Sequence, residues 1–182
     1  MKIDGAGFRN WLSGGLIALC VLAMTGCDGK GNRGPGESPT LSGVAQKGPF
    51  LADGVVRLQP LNSAGQPEGD ALSVKTDARG RFRIDLAPGG WGLLTAEGRY
   101  FDEFRAADSS DGVVLRALVH SGRSGEVNLN MFTTMATARA LVLVDDGADF
   151  ETALAAANAD IARLFSLRDE ADPRNLDLLK AQ

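Results

Sequence analysis

This chain has few of the side chains that carry metal, redox and proton chemistry. Its 182 residues include two cysteines, Cys20 and Cys27, and one histidine, His120. Past Cys27 there is no thiol, so the rest of the chain can form no internal disulfide and offers no cysteine cluster for a metal. A lone histidine does not make a zinc site. Neither a metal nor a cofactor is expected, and stability must come from a packed core. No run of basic residues occurs and the formal charge is −4, so the electrostatic footprint of a nucleic-acid binder is missing. Also missing is an unbroken apolar stretch of the roughly 20 residues that a spanning helix needs.

What the chain does have begins at its N-terminus. Lys2 and Arg9 precede an apolar run from about Leu12 to Met24, followed by Thr25, Gly26 and Cys27. A basic start, a short apolar segment, small residues and then cysteine resembles a bacterial lipoprotein signal. Met24 departs from the pattern, since leucine is usual at that place. The resemblance implies cleavage between Gly26 and Cys27, a covalent lipid on Cys27, and a protein tied to a membrane outside the cytoplasm. Cleavage would remove Lys2, Arg9 and Asp4, leaving 17 basic against 22 acidic residues. Asp28 resembles the inner-membrane retention signal of some enteric bacteria. That rule does not transfer between groups, so the membrane stays open.

From Asp28 to Pro39 there is no large apolar side chain, and four glycines and two prolines mark a flexible tether. The expected organisation is a signal peptide over 1–26, a lipidated cysteine and tether over 27–40, a β-sandwich over 41–130 and a helical segment over 131–182. Beyond the tether, apolar and polar residues alternate. Phe82, Ile84 and Leu86 interleave with Arg81, Arg83 and Asp85. Val56 with Leu58, Leu72 with Val74, Trp91 with Leu93, Val113 through Val119, and Val127 with Leu129 and Met131 repeat the pattern. Turn-forming clusters such as Asn62–Gly65, Asp77–Gly80 and Ser121–Gly125 separate the runs. Strands at this spacing, without helices between them, predict an antiparallel sandwich.

The period then changes. Phe150, Leu154, Ala157, Ile161 and Leu164 form an amphipathic helical stripe, and Asp149 is placed to cap it. Phe132 to Val144 is apolar nearly all round and reads as a buried helix, with Thr133 or Thr134 as its cap. Its end, Leu141–Val144, fits a strand equally well. A short last helix near Asn175 to Lys180 is expected after Pro173.

One segment carries a family resemblance. Thr76-Asp77-Ala78-Arg79-Gly80-Arg81-Phe82, continued by Leu86-Ala87-Pro88-Gly89, resembles the Thr-Asp-x-x-Gly-x-Phe signature of carboxypeptidase regulatory-like domains. Those are small seven-stranded sandwiches of transthyretin-like, or prealbumin-like, type. The physical logic agrees: Asp77 and Gly80 build a tight turn and Phe82 enters the core. Gly43 to Val56 looks like the opening strand and turn of such a domain. Val127-Asn128-Leu129-Asn130 leading into Thr133-Thr134 is similar to uncharacterised lipoproteins that follow such a sandwich with helices. The resemblance implies a fold and is nearly silent on function.

The residues assemble no catalytic constellation. Asp102-Glu103 and Asp145-Asp146 are adjacent in sequence, whereas acid–base work needs two groups across a cleft with separated pKa values. His120 lacks a nucleophile elbow around a serine. Asp145, Asp146 and Asp149 lack the spacing of a calcium loop. Tyr100, Phe101 and Phe104 form the densest aromatic cluster, either an exposed interaction patch or packing over the sandwich end, with packing favoured. A lysine–asparagine isopeptide bond between Lys47 and Asn128 or Asn130, with Glu97 as the acid, is a further idea that needs a desolvated lysine.

The expected role is a lipid-anchored, non-catalytic binding, adhesion or scaffold module of the cell envelope, with an envelope protein or a glycan as partner and no nucleic acid. Two alternatives stand beside it. One is an accessory subunit docking through its helices; the other is a carbohydrate- or peptide-active enzyme, which polar groups converging on a pocket beside Tyr100, Asp102 and Glu103 would favour.

Overall fold

The computed structural model describes residues 39–86, 89–167 and 172–178. Gly26, Cys27, the expected signal and the expected tether up to residue 38 lie outside them, and Thr40, expected as the tether's last residue, instead opens the first strand because it pairs with Asp85. The elements run β1 (Thr40–Val44), β2 (Val55–Pro60), β3 (Leu72–Lys75), β4 (Arg81–Asp85), β5 (Trp91–Gly98), β6 (Phe101–Asp102), β7 (Ala107–Asp108), β8 (Val113–His120), β9 (Gly125–Glu126), α1 (Met131–Asp145) and α2 (Phe150–Leu164).

The sharpest alternation in the sequence is a strand, as read. In β4, Phe82 and Ile84 are buried while Arg81, Arg83 and Asp85 face solvent. The turn before it is built as the motif suggests. The Asp77 carboxylate accepts from the Arg79 and Arg81 amides at 2.8 and 2.9 Å. Gly80 has φ +70°, and a Cβ there would lie 2.8 Å from the Ala45 carbonyl oxygen, so glycine is required twice over.

The strands form a four-stranded sheet in the order β3-β2-β5-β8, a three-stranded sheet in the order β4-β1-β9 and a separate two-stranded ribbon of β6 and β7. The chain is therefore mainly β with two helices after the sheets. The expected antiparallel arrangement fails at one place: β9 runs parallel to β1. Met131, expected as a strand residue, instead opens α1 and is half exposed, because Asn130 ends the extended chain by capping the helix.

Three layers result. Val56, Leu58, Leu94, Ala96, Leu115 and Ala117 from the larger sheet share one apolar core with Leu41, Phe82, Ile84, Val127 and Leu129 from the smaller one. The outer face of the larger sheet is also covered. Trp91, Leu93 and Leu118 pack with Ala136, Ala140, Phe150, Leu154, Ala157 and Ile161 of the helices. This is why β5 is apolar on both faces: Leu94 and Ala96 point into the inter-sheet core, while Trp91 and Leu93 meet the helices.

The threonines of α1 have a different task from the one expected. Asn130 is the N-cap, its side chain accepting from the Thr133 amide at 2.9 Å, with Thr133 completing a capping box. The hydroxyl oxygens of Thr134 and Thr137 accept from the Arg116 and Leu118 amides at 2.9 and 3.1 Å. Because β8 is an edge strand, those amides have no strand to pair with, and α1 satisfies them. Leu141–Val144 is helical. Asp149 caps α2 as read, and the stripe is buried through Ile161, but Leu164 is 72% exposed.

No helix forms over 172–178. That stretch turns at Pro173–Asn175 and is pinned by three buried amide side chains. Asn128 donates from its backbone to the Arg174 carbonyl at 2.9 Å and from its amide to the Leu176 carbonyl at 3.3 Å. Asn130 donates to the Pro173 carbonyl at 3.0 Å. Gln46, 1% exposed, donates to Asp177 and accepts from the Leu178 amide. Backbone groups committed to these partners cannot close a helical turn. Lys180 lies outside the described residues.

Candidate functional site

β5 joins two ends of the molecule. At its far end the chain enters the Tyr100–Asp108 ribbon, where the sequence placed an aromatic patch. Tyr100 is partly buried and packs on the inter-sheet core. The Lys47 ammonium lies 5.4 Å from its ring centroid, a cation–π contact. Lys47 is exposed and Asn128 and Asn130 are occupied by the C-terminal stretch, so the isopeptide arrangement does not form. The three aromatics do not behave as one unit. Phe101 is exposed at the ribbon and Phe104 stands fully in solvent at its tip, so neither covers the end of the sheets. The local cause is Asp102, whose carboxylate accepts from the Phe104 and Arg105 amides at 3.0 and 3.3 Å and folds the tip into a tight turn that points away from the core.

The near end of β5 holds a cleft of about 330 Å³ that the sequence did not announce. Its walls come from five separate stretches: Leu41 of β1, Trp91 at the start of β5, the chain from Val119 at the end of β8 to Val127, Glu151 to Asn158 of α2, and Asp172–Asn175. Trp91 is held by Phe150, stacked at 5.2 Å between ring centroids and 15° between planes, and by His120, edge-on at 5.5 Å and 75°. The Gly122 amide donates to His120 Nδ1 at 3.1 Å, leaving Nε2 as the donor of the neutral ring.

Both arginines of the wall are paired with carboxylates. Arg174 Nε donates to both Asp172 oxygens at 3.0 and 2.9 Å. Burial alone would raise the Asp172 pKa. The hydrogen bonds and charge of Arg174 outweigh it, so the carboxyl sits below its ordinary range and the guanidinium above its own. Arg123 Nη1 lies 3.5 Å from Glu151 Oε1, a solvent-exposed and weaker pair. One polar atom is left over. Among the described residues, Asn158 Oδ1 is a buried side-chain oxygen with no hydrogen-bond partner, and Asn158 lines the cleft.

Sequence reasoning missed this site because its parts are dispersed. Trp91 was read as one residue of an alternating strand, Asn158 as a position off the helical stripe, and Asp172 and Arg174 not at all. The available signal was that Trp91 is the sole tryptophan after the N-terminal segment, at a strand start beside a turn. No group of three or more metal-ligating side chains converges among the described residues. His120, Asp145-Asp146 and Asp102-Glu103 are not brought together.

Compared with known proteins, the chain matches no family model and no curated protein. Two solved chains match it. One is the crystal structure of a candidate carbohydrate binding protein from Pseudomonas aeruginosa, 18% identical, over 51% of this chain and 88% of that chain, with a TM-score of 0.35. A likeness at that level carries no argument for the site. The cleft has to be read from its own residues.

Proposed function

We propose that this chain is a lipid-anchored, non-catalytic binding module of the bacterial cell envelope. The Cys27 signal and the glycine-rich tether support the anchor. The tight turn at Asp77 and Gly80, with Phe82 in the core, supports the carboxypeptidase regulatory-like sandwich as its scaffold. The observation that carries the binding role is the cleft beside Trp91. Both of its arginines are committed to carboxylates, and the Asp172 carboxyl is held below its ordinary pKa range by Arg174. Such a wall suits holding a ligand by fixed donors and acceptors better than transferring a proton. The enzyme reading asked for polar groups converging beside Tyr100, and the cleft described here lies at the other end of β5.

A second reading, an accessory subunit of an envelope complex, draws on the outer face of the helix layer, where Val142 and Leu164 are exposed. One experiment tests the anchor and the cleft together. Labelled palmitate should appear on the wild type and vanish in Cys27→Ala, which should move to the soluble fraction. With Trp11→Phe in both chains, Trp91 becomes the sole tryptophan and can be excited selectively over Tyr100. A panel of envelope glycans, peptides and lipid headgroups should then include at least one class that changes its emission saturably. A Cys27→Ala chain that stays membrane-bound refutes the anchor, and a panel without effect refutes the binding role.

A further inference from the structure

We infer that the Trp91 cleft takes a small neutral ligand carrying adjacent hydroxyl groups, a saccharide unit either free or at the end of a glycan chain. This rests on the binding-module reading and narrows it to a ligand class. Three features of the wall argue for it independently.

The first is Asn158. A buried carboxamide oxygen without a partner is costly, roughly 1–3 kcal/mol, and is relieved by a donor from outside the chain. As it stands, the oxygen calls for a ligand atom that donates. A hydroxyl does; an ionised phosphate or carboxylate oxygen does not.

The second is charge. The wall holds Arg123 and Arg174 against Glu126, Glu151 and Asp172. Each arginine is already paired with a carboxylate, and one carboxylate is in excess. An anionic ligand would have to break one of these pairs and face the remaining negative charge. A neutral ligand breaks nothing. The paired guanidinium and carboxylate of Arg174 and Asp172 also set donors and acceptors side by side, the arrangement that two neighbouring hydroxyls match.

The third is shape and surface. About 330 Å³ lies at the small end of ligand pockets, enough for a compact ligand and too little for a long polymer segment. Trp91 is the aromatic surface in that wall, and the C–H face of a sugar ring packs on an indole while its hydroxyls stay with the polar groups.

The test uses the full chain with Trp11→Phe, reading Trp91 emission during titration with neutral hexoses, N-acetylhexosamines and inositol, with hexose phosphates, and with short neutral glycans. Saturable binding of a neutral sugar, unaffected by salt, is the expected result. Asn158→Ala should weaken it about tenfold, the loss of one hydrogen bond. Asn158→Asp keeps the shape and the acceptor and should bind within a few-fold of wild type. Preference for free sugars or for glycan ends tells the two sources apart. Salt-sensitive binding of hexose phosphates above the neutral sugars overturns the inference. So does an unchanged affinity in Asn158→Ala, or loss of binding in Asn158→Asp, since a hydroxyl would adapt to the carboxylate. Should peptides or headgroups move Trp91 while no neutral sugar does, the binding module stands and the ligand class falls. Should nothing move it, both fall.

Discussion

The two ends of β5 are finished in opposite ways. At Gly98 the strand runs into a ribbon whose aromatics and acids are neighbours in sequence: Tyr100, Phe101, Asp102, Glu103, Phe104. The side chains there satisfy one another locally, Asp102 folding its own turn and Phe104 left in water. At Trp91 the strand meets residues that are distant in sequence, from the loop after β8, from α2 and from the C-terminal stretch. There the rings stack, Arg123 after β8 pairs with Glu151 of α2, and one buried oxygen is unmatched. Local density produces a turn. Long-range convergence produces a cleft, because only groups brought from different elements can surround a space.

That contrast is open to test by substitution. Trp91→Ala should have the largest effect. It removes the ring stacked on Phe150 and so the aromatic joint between the sheet and the helices. The expected cost is about 3 kcal/mol, at the low end for a tryptophan because Trp91 is only partly buried. Urea unfolding followed by circular dichroism measures it. A loss under about 1 kcal/mol would mean that the helices are held mainly by the Thr134 and Thr137 bonds to β8 and that the near end is no better built than the far one.

The sheets were legible in the sequence for a definite reason. Where one face of a strand is buried and the other wet, as in β4, alternation survives in the residue string. Where both faces are buried, as at the start of β5, apolar residues stand at neighbouring positions such as Leu93 and Leu94 and do not say which neighbour covers which face. The Asp77–Gly80 turn was legible because a positive φ and a side-chain-capped amide leave only certain residues acceptable. The cap of α1, expected at Thr133 or Thr134, lies three or four residues earlier: Asn130 and the threonines are equally able to cap, and Thr133 serves in the capping box while Thr134 is taken up by the unpaired edge of β8. The C-terminal stretch was misread because its helix propensity is weak beside buried amides from Gln46, Asn128 and Asn130 more than 40 residues away. Of the cleft, only the placing of Trp91 at a strand start left a signal. None of its other residues is unusual where it stands, and the anchor residue Cys27 lies outside the described structure.

A subtler difference between the ends should appear on acidification. Asp172 has its pKa lowered from an ordinary 3.8, so its pair with Arg174 stabilises the fold fully above that value. The contribution fades as pH falls through the folded-state pKa, where the carboxylate is protonated in the native state as well. Unfolding free energies of wild type and Asp172→Asn should therefore differ most at pH 6 and draw together as the pH falls below 3.8 through the lowered folded-state pKa. A gap that stays constant with pH would show that the pair contributes no charge-dependent stability at the near end.

The smallest effect is expected at Phe104, and its smallness is the informative part. A phenylalanine fully in solvent makes no packing contribution to lose, so Phe104→Ala should change stability by no more than about 0.5 kcal/mol. The Asp102 turn does not depend on it, because the bonds come from backbone amides. Such a residue has a stability role only if something covers it. If Phe104→Ala lowers the melting temperature of the isolated protein by several degrees, the ribbon tip packs in solution against a surface of the molecule, and the far end is built after all. If stability is unchanged while recovery of an envelope partner drops, the far end is an interaction tip, and the two ends of β5 divide the work: a recessed cleft at one and a projecting side chain at the other.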